Sequence, residues 1–401
     1  MVKFEVSAPG KVILHGEHSV VYGKPAVAGV VQVRNTLTLE ENDDQCMLIC
    51  FPKIGLDNLH ISLEAINKFL AICWEKYGAI EFPEGLNHDV FLEEVKNFVQ
   101  ETVKEGGKDF LDSIKLNSLS AVFYLLLGIF IEGQIRSVRK GIKIDLKTEM
   151  SVGAGLGSSA SFGVCLAATF YLLARLVKQE SYLDDYNGLT EMQQHDIKQK
   201  ISSWAFQSEK IMHGNPSGLD NTICTFGNVV KFYKGRPPVD IKLTCSLPIL
   251  LVDSGVSRST AKLVENVVDL RKRHPKIVDN VLEAMKYLVE DAVDILEHIT
   301  HISDTENFNK LENLVSMNNN LLRTLGVSHP ALEKIFMIAE KYGFHAKLSG
   351  AGGGGFAMIL LPSWNIQEMK NFRQLKDDLE MNNFQWILTG LGGEGLTFKS
   401  L

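Results

Sequence analysis

The sequence has no excess of positive charge: 41 lysines and arginines face 48 aspartates and glutamates, a formal charge of −7. Without a basic field the chain has no general attraction for nucleic acid or anionic lipid, so an anionic ligand must be held by a local site. Cysteine is scarce and scattered. Cys46, Cys50, Cys73, Cys165, Cys224 and Cys245 form no Cys-x-x-Cys pair and no zinc-type spacing. Cys165 lies in an apolar run, where a thiol behaves as a small hydrophobe, and reduced thiols in a cytoplasmic protein are the expectation. Met1-Val2-Lys3-Phe4-Glu5 has neither an apolar leader core nor glycine at position two, so neither a secretory signal nor myristoylation is expected. Lys399-Ser400-Leu401 only permutes the peroxisomal Ser-Lys-Leu signal, which leaves a peroxisomal fraction open.

Long apolar helices are also lacking. Leu119–Ile131 spans 13 residues, and Ser151–Ala174 opens with glycine and serine and runs at once into Arg175. Neither suits a membrane span, and no membrane association is expected. No repeat of fixed period and no low-complexity tract is present. A 45% hydrophobic share with 22% charged residues excludes a wholly disordered chain.

What is there is a chain of 401 residues, long enough for two domains. Val31, Val33, Leu37 and Leu39 alternate with Gln32, Arg34, Thr38 and Glu40, the pattern of a half-buried strand. Ile142, Ile144 and Leu146 repeat it against Lys143, Asp145 and Lys147. Helices are expected at 60–74, 91–103, 114–131, 159–178 and 197–212. The paired prolines of Lys234–Pro238 mark the domain boundary. Beyond them come a strand at 249–252, amphipathic helices at 259–273, 277–300, 306–324 and 330–342, and an apolar run at 356–361. Interleaved strands and helices indicate a two-domain α/β or α+β protein.

Four segments carry chemistry. Gly153-Ala154-Gly155-Leu156-Gly157-Ser158-Ser159-Ala160 stands between a strand and a long apolar helix. Glycines there let backbone N–H groups approach a ligand, and a helix N-terminus favours phosphate. The serines either cap the helix or ligate a phosphate-bound Mg²⁺. No Gly-Lys-[Ser/Thr] ending and no G-x-G-x-x-G spacing is present, so neither standard nucleotide fingerprint applies. The second segment is a helix whose stripe Ile201, Ala205, Ser208 and Met212 is bordered by Glu209, with Asp220 eleven residues on. One carboxylate suits Mg²⁺ and the other a hydroxyl, or else Glu209 pairs with a lysine and Asp220 caps a turn. Ser7–His18 reads as a turn holding Lys11, His15, Glu17 and His18, either a ligand site or a solvated loop. Lys347–Gly355 holds five glycines in six positions, suited to close backbone approach or to a plain turn.

Together these segments resemble the GHMP kinase family of ATP-dependent small-molecule kinases. Pro9 through His18, Gly153 through Ala160 and Lys347 through Gly355 follow the family's order and cover nearly the whole chain. Lys11–Ala26 and Glu209–Asp220, with its His-Gly-Asn-Pro-Ser-Gly core, are similar to the branch whose acceptor is mevalonate. Galactokinases differ, with an arginine and an Asp-Tyr pair after Gly-Glu-His.

The resemblance implies an α+β GHMP kinase fold. Residues 1–235 would form a ribosomal-protein-S5-domain-2-like ATP-binding domain and 236–401 a ferredoxin-like domain, with the active site in the cleft and the last strand returning to the first domain. It further implies that Gly153, Ala154, Gly155, Leu156, Gly157, Ser158 and Ser159 wrap the ATP phosphates, that Ser159 and Glu209 hold Mg²⁺, and that Thr148 lies near the nucleotide. Asp220 would be the base toward the C5 hydroxyl of mevalonate, and Lys11 would stabilise developing charge. Glu17, His18 and Thr260 would face the acceptor. The adenine-side contact of Pro52–Leu56 is not carried over, because relatives often have asparagine where this chain has Lys53. A homodimer and a prenyl diphosphate inhibitor competing with ATP are further implications. Another acceptor within the family, or a catalytically silent ligand sensor, are the alternatives. All of Lys11, Ser159, Glu209 and Asp220 are retained, which favours the enzyme.

Overall fold

The computed structural model describes residues 2–78, 83, 85–105, 111–151, 155–178, 186, 188–257, 260–299 and 304–401. Among them, twelve strands form one sheet. Its longest pair is β1 (Lys3–His15) with β2 (Ala26–Asn42), antiparallel from Lys3 opposite Glu40 to His15 opposite Val27. The register shifts between Pro9 and Gly10 and again before His15, as expected where proline and glycine interrupt a ladder. The segment Ser7–His18 is therefore mostly strand rather than turn. Only Gly16–His18 turns, and β1 carries Lys11 and His15 on a rigid element.

The alternation at Val31–Glu40 is the middle of β2, and that at Ile142–Lys147 is β5 (Gly141–Thr148), paired antiparallel to it. Beyond β5 come β3 (Cys46–Phe51) and β4 (Leu56–Ser62). On the other side β11 (Gln385–Leu391) meets β2 at Val31, followed by β8 (Leu247–Asp253), β10 (Phe356–Leu360) and β9 (Ala346–Leu348). The hairpin of β6 (Val229–Phe232) and β7 (Val239–Ile241) pairs with the start of β2. Lys234–Pro238 is the tip of that hairpin, where proline's missing N–H costs no ladder bond. β12 (Thr397–Ser400) lies antiparallel on β1, with Phe4 opposite Ser400.

Eleven helices cover the described sheet: α1 (Leu63–Tyr77), α2 (His88–Glu105), α3 (Ser113–Glu132), α4 (Ser158–Val177), α5 (Glu191–His213), α6 (Leu219–Phe226), α7 (Thr260–Arg273), α8 (Pro275–His298), α9 (Thr305–Thr324), α10 (Pro330–Lys341) and α11 (Lys370–Met381). The helix expected from residue 60 starts three residues later. His60–Ser62 finish β4, and the Ser62 hydroxyl caps α1 by accepting from the Glu64 and Ala65 amides.

α3 and α4 are long and apolar enough to cross a membrane by length and composition, but 78% of the most apolar 18-residue stretch of each is buried inside the protein. α3 is apolar on all sides because it is packed on all sides. Against it, Gly128 lies so close to Trp204 of α5 that a Cβ would come within 2.4 Å of the indole. Gly163 of α4 meets Ser208 of α5 as tightly, with 2.9 Å to its Cβ. These two glycines let α5 sink between its neighbours, and that depth is what buries Glu209.

Candidate active site

The N-terminus of α4 is fastened to β1 and β2 before any ligand arrives. Gly157, at φ +72°, is the residue before the helix, a conformation strained for a residue with a side chain. A Cβ on it would lie 2.8 Å from Lys11 Cγ. The Lys11 amide donates to the Leu156 carbonyl at 2.7 Å, the Ser161 hydroxyl to the Ala8 carbonyl at 2.7 Å, and Asn35 Nδ2 to the Ser158 carbonyl at 3.1 Å. The first-turn amides of α4 keep no side-chain cap, so they stand ready as donors. Ser158 and Ser159 do not cap the helix. The Ser159 hydroxyl instead lies 2.9 Å from His213 Nε2, at the end of α5.

α5 and α6 bring the carboxylates to the same place. Gly214 (φ +74°) ends α5, and Gly218 (φ +78°) starts α6, so Asp220 falls in its first turn. Asn221 Nδ2 pins that turn to α5 by donating to the Ser202 carbonyl at 3.0 Å and to its hydroxyl at 2.9 Å. Asp220 Oδ2 then lies 3.1 Å from Lys11 Nζ. Asp220 is thus no mere turn cap.

Glu209 is 4% exposed, and its Oε1 has no hydrogen-bond partner. Burial, reinforced by the nearby Asp220 charge, pushes its carboxyl up to about 7, against the opposing pull of the Ser159 hydroxyl and Lys11. A buried carboxylate in this condition calls for a cation. Among the described residues no three histidine, cysteine or acidic side chains gather into a metal cage. Ser159 with Glu209 therefore suits an ion that takes most of its ligands from phosphate and water, as Mg²⁺ does.

The rest of the first motif is tied to the glycine-rich turn at 350–355. The Ser349 hydroxyl lies 3.3 Å from both the Ile13 amide and the Ile13 carbonyl. Lys347 Nζ pairs with Glu17 Oε1, and His18 Nε2 lies 2.8 Å from the Ala351 carbonyl. The glycines are needed. At Gly352 (φ +79°) a Cβ would meet the Val327 carbonyl oxygen at 2.0 Å, and at Gly354 that of Val256 at 2.4 Å.

The structure brings together Lys11, Leu156, Gly157, Ser158, Ser159, Glu209 and Asp220. Gly155 adjoins them in a left-handed conformation at φ +87°. Gly153 and Ala154 lie outside the described residues. Thr148, at the end of β5, caps its own turn, with its hydroxyl accepting from the Met150 amide at 3.1 Å. Thr260 is the exposed first residue of α7. Glu17 and His18 are buried beside the glycine turn.

Asn35, His213, Asn318 and Lys347 complete the site without having been given roles from the sequence. Asn35 did leave a signal. It occupies the buried phase of β2 between Val33 and Leu37, where an asparagine needs a reason.

The family model for the GHMP kinases N terminal domain matches residues 124–228, and that for GHMP kinases C terminal matches 295–373. Mevalonate kinase of Mus musculus is 32% identical over 397 residues, 98% of this chain and 95% of that protein. Mevalonate kinase of Arabidopsis thaliana is 30% identical over 98% of this chain and 99% of its own length. A crystal structure of a mevalonate kinase superposes with TM-score 0.67 at 20% identity, covering 97% of this chain and 99% of the other. L. major mevalonate kinase in complex with R-mevalonate superposes with TM-score 0.65 at 21% identity, covering 97% and 96%. The chain belongs to the GHMP kinase family, on its mevalonate kinase branch.

Proposed function

We propose that this protein transfers the γ-phosphoryl group of ATP to the C5 hydroxyl of mevalonate, giving 5-phosphomevalonate and ADP, as an early step toward isoprenoid and sterol precursors. The observation that carries the reading is the meeting of Lys11, Asp220, Glu209 and Ser159 at the N-terminus of α4. That set has one part for each demand of phosphoryl transfer: phosphate binding, neutralisation of charge, and orientation of the nucleophile.

The α4 first-turn amides and the Gly155–Ser159 backbone would receive the phosphates. Ser159 and Glu209 would hold Mg²⁺, which neutralises phosphate charge when bound. In the step itself the C5 oxygen bonds to the γ-phosphorus. The bond from that phosphorus to the β–γ bridging oxygen breaks, its electron pair leaves on ADP, and the hydroxyl proton passes to Asp220. Lys11, 3.1 Å from Asp220, faces the charge that develops on the transferring group. Because the transition state is largely dissociative, Asp220 orients the hydroxyl as much as it deprotonates it. A homodimer and inhibition by prenyl diphosphates at the ATP site belong to the same proposal, supported by family likeness.

The test is ADP release with Mg-ATP and, one at a time, mevalonate, phosphomevalonate, galactose and homoserine. Turnover with mevalonate alone is the expected result. Turnover with a different acceptor would keep the phosphate machinery and discard mevalonate. ATP binding with no turnover on any acceptor would make the chain a sensor.

A further inference from the structure

The Glu17 carboxylate sits where the family likeness puts an acceptor contact, but it has no face left for one. Its side chain and that of Lys347 are both 0% exposed. Oε1 takes the Lys347 ammonium, Oε2 accepts from Asn318 Nδ2 at 2.9 Å, and Lys347 donates again to the Leu348 carbonyl at 2.6 Å. His15, two residues back on β1, is also fully buried, and neither ring nitrogen has a partner. Burial and the neighbouring Lys347 charge hold its pKa well below 6.5, so it is neutral and leaves the ion pair undisturbed.

The pair joins elements far apart in sequence: the turn after β1, strand β9 and helix α9. The next residue, His18, holds a left-handed conformation at φ +60°, costly for a residue with a side chain, and is 6% exposed. Something must hold that turn in place. On one side it is held by Ala351, and on the other by the Glu17 carboxylate.

We infer that Lys347 and Asn318 are positioning residues for the acceptor half of the reaction: they clamp Glu17, and through it fix the Gly16–His18 turn, which the family likeness sets beside the acceptor. On this account Glu17 is itself part of the clamp and does not touch the acceptor. The inference rests on the kinase reading above and deepens it.

A double-mutant cycle on the full chain tests it, with KM for mevalonate and for Mg-ATP and the thermal midpoint measured for each protein. Lys347→Met and Glu17→Gln are each expected to raise KM for mevalonate about tenfold while KM for Mg-ATP stays within about twofold. The Lys347→Met/Glu17→Gln protein is expected to show the same rise of about tenfold as either single variant and no more, because both act through one ion pair. Additive effects would mean that Glu17 meets the acceptor independently of Lys347, and would overturn the inference. An unchanged KM for mevalonate in Lys347→Met would do the same.

Lys347→Met strands a buried carboxylate and risks misfolding. The neutral double variant and Asn318→Ala keep the test alive, and an unchanged KM for mevalonate in both would sink the clamp. Wild-type turnover of another acceptor would overturn the mevalonate assignment alone. The same comparisons would then be made with that acceptor.

Discussion

Lys11 Nζ and Asp220 Oδ2 meet at 3.1 Å across unequal surroundings: the lysine side chain is 10% exposed and the aspartate 33%. The cation is fixed by the strand and by the glycine loop packed on its stem, whereas the carboxylate is the more exposed of the two. That asymmetry suits a site in which the lysine stays and the aspartate deals with an incoming hydroxyl. It also limits what the pair contributes to stability, since a partly exposed ion pair contributes about 1 kcal/mol or less.

Asp220→Asn should therefore leave the fold intact and lower kcat. The loss expected is about a hundredfold or more, at the lower end for removal of a general base because the transition state asks little of one. Circular dichroism and a thermal midpoint close to wild type would certify the protein. Normal turnover in a protein so certified would remove Asp220 from the chemistry.

Glu209 gives a pH prediction whose sign is fixed. Its carboxyl is raised from 4.5 to about 7 in the folded protein. Between those values the folded state binds more protons than the unfolded state, so stability is full below about pH 4.5 and falls as pH rises toward 7. The shift corresponds to about 3 kcal/mol in the ion-free protein above pH 7. Glu209→Gln removes that penalty. Without Mg²⁺ its thermal midpoint should exceed wild type at pH 8 and match it near pH 4.5. With Mg-ATP at pH 8 the wild type should recover and the variant should gain little. Equal midpoints at pH 8 would show that the carboxylate is already compensated by the protein.

Much of this site was legible in the chain before its structure, for identifiable reasons. The alternations at Val31–Glu40 and Ile142–Lys147 are the footprint of half-buried strands, and they emerged as β2 and β5. Gly157-Ser158-Ser159 marked a helix start because glycine at positive φ and small residues serve that junction. Ser7–His18 misled because Pro9 and Gly10 look like a turn. Here they make an irregularity within a strand paired on both sides. The Glu17–Lys347 pair spans 330 positions, a separation no local pattern encodes. The Lys234–Pro238 punctuation was real, but it marks a hairpin tip.

Gly157→Ala probes how the loop sets Lys11. A left-handed alanine costs about 1–2 kcal/mol, and its methyl would press on Lys11 Cγ from 2.8 Å. The lysine must shift, so kcat should fall about tenfold or more, with only a modest loss of stability. Kinetics alongside a melting curve separate the two effects. A drop in midpoint with wild-type kcat would mean that the loop yields instead of the lysine.

Asn35 permits a sharper separation of binding from stability. It is 1% exposed, Nδ2 holds the Ser158 carbonyl, and Oδ1 has no partner. Asn35→Leu removes one hydrogen bond worth about 1 kcal/mol, and it also removes an unsatisfied buried oxygen and adds apolar burial. The stability terms nearly offset one another, so the thermal midpoint should stay within a few degrees of wild type. The first turn of α4, however, loses the tie that aims its amides. KM for Mg-ATP should rise several-fold while KM for the acceptor holds. An unchanged KM for Mg-ATP in a stable Asn35→Leu protein would mean that the Gly157 turn alone sets the helix terminus, and that the asparagine in the buried phase of β2 serves only packing.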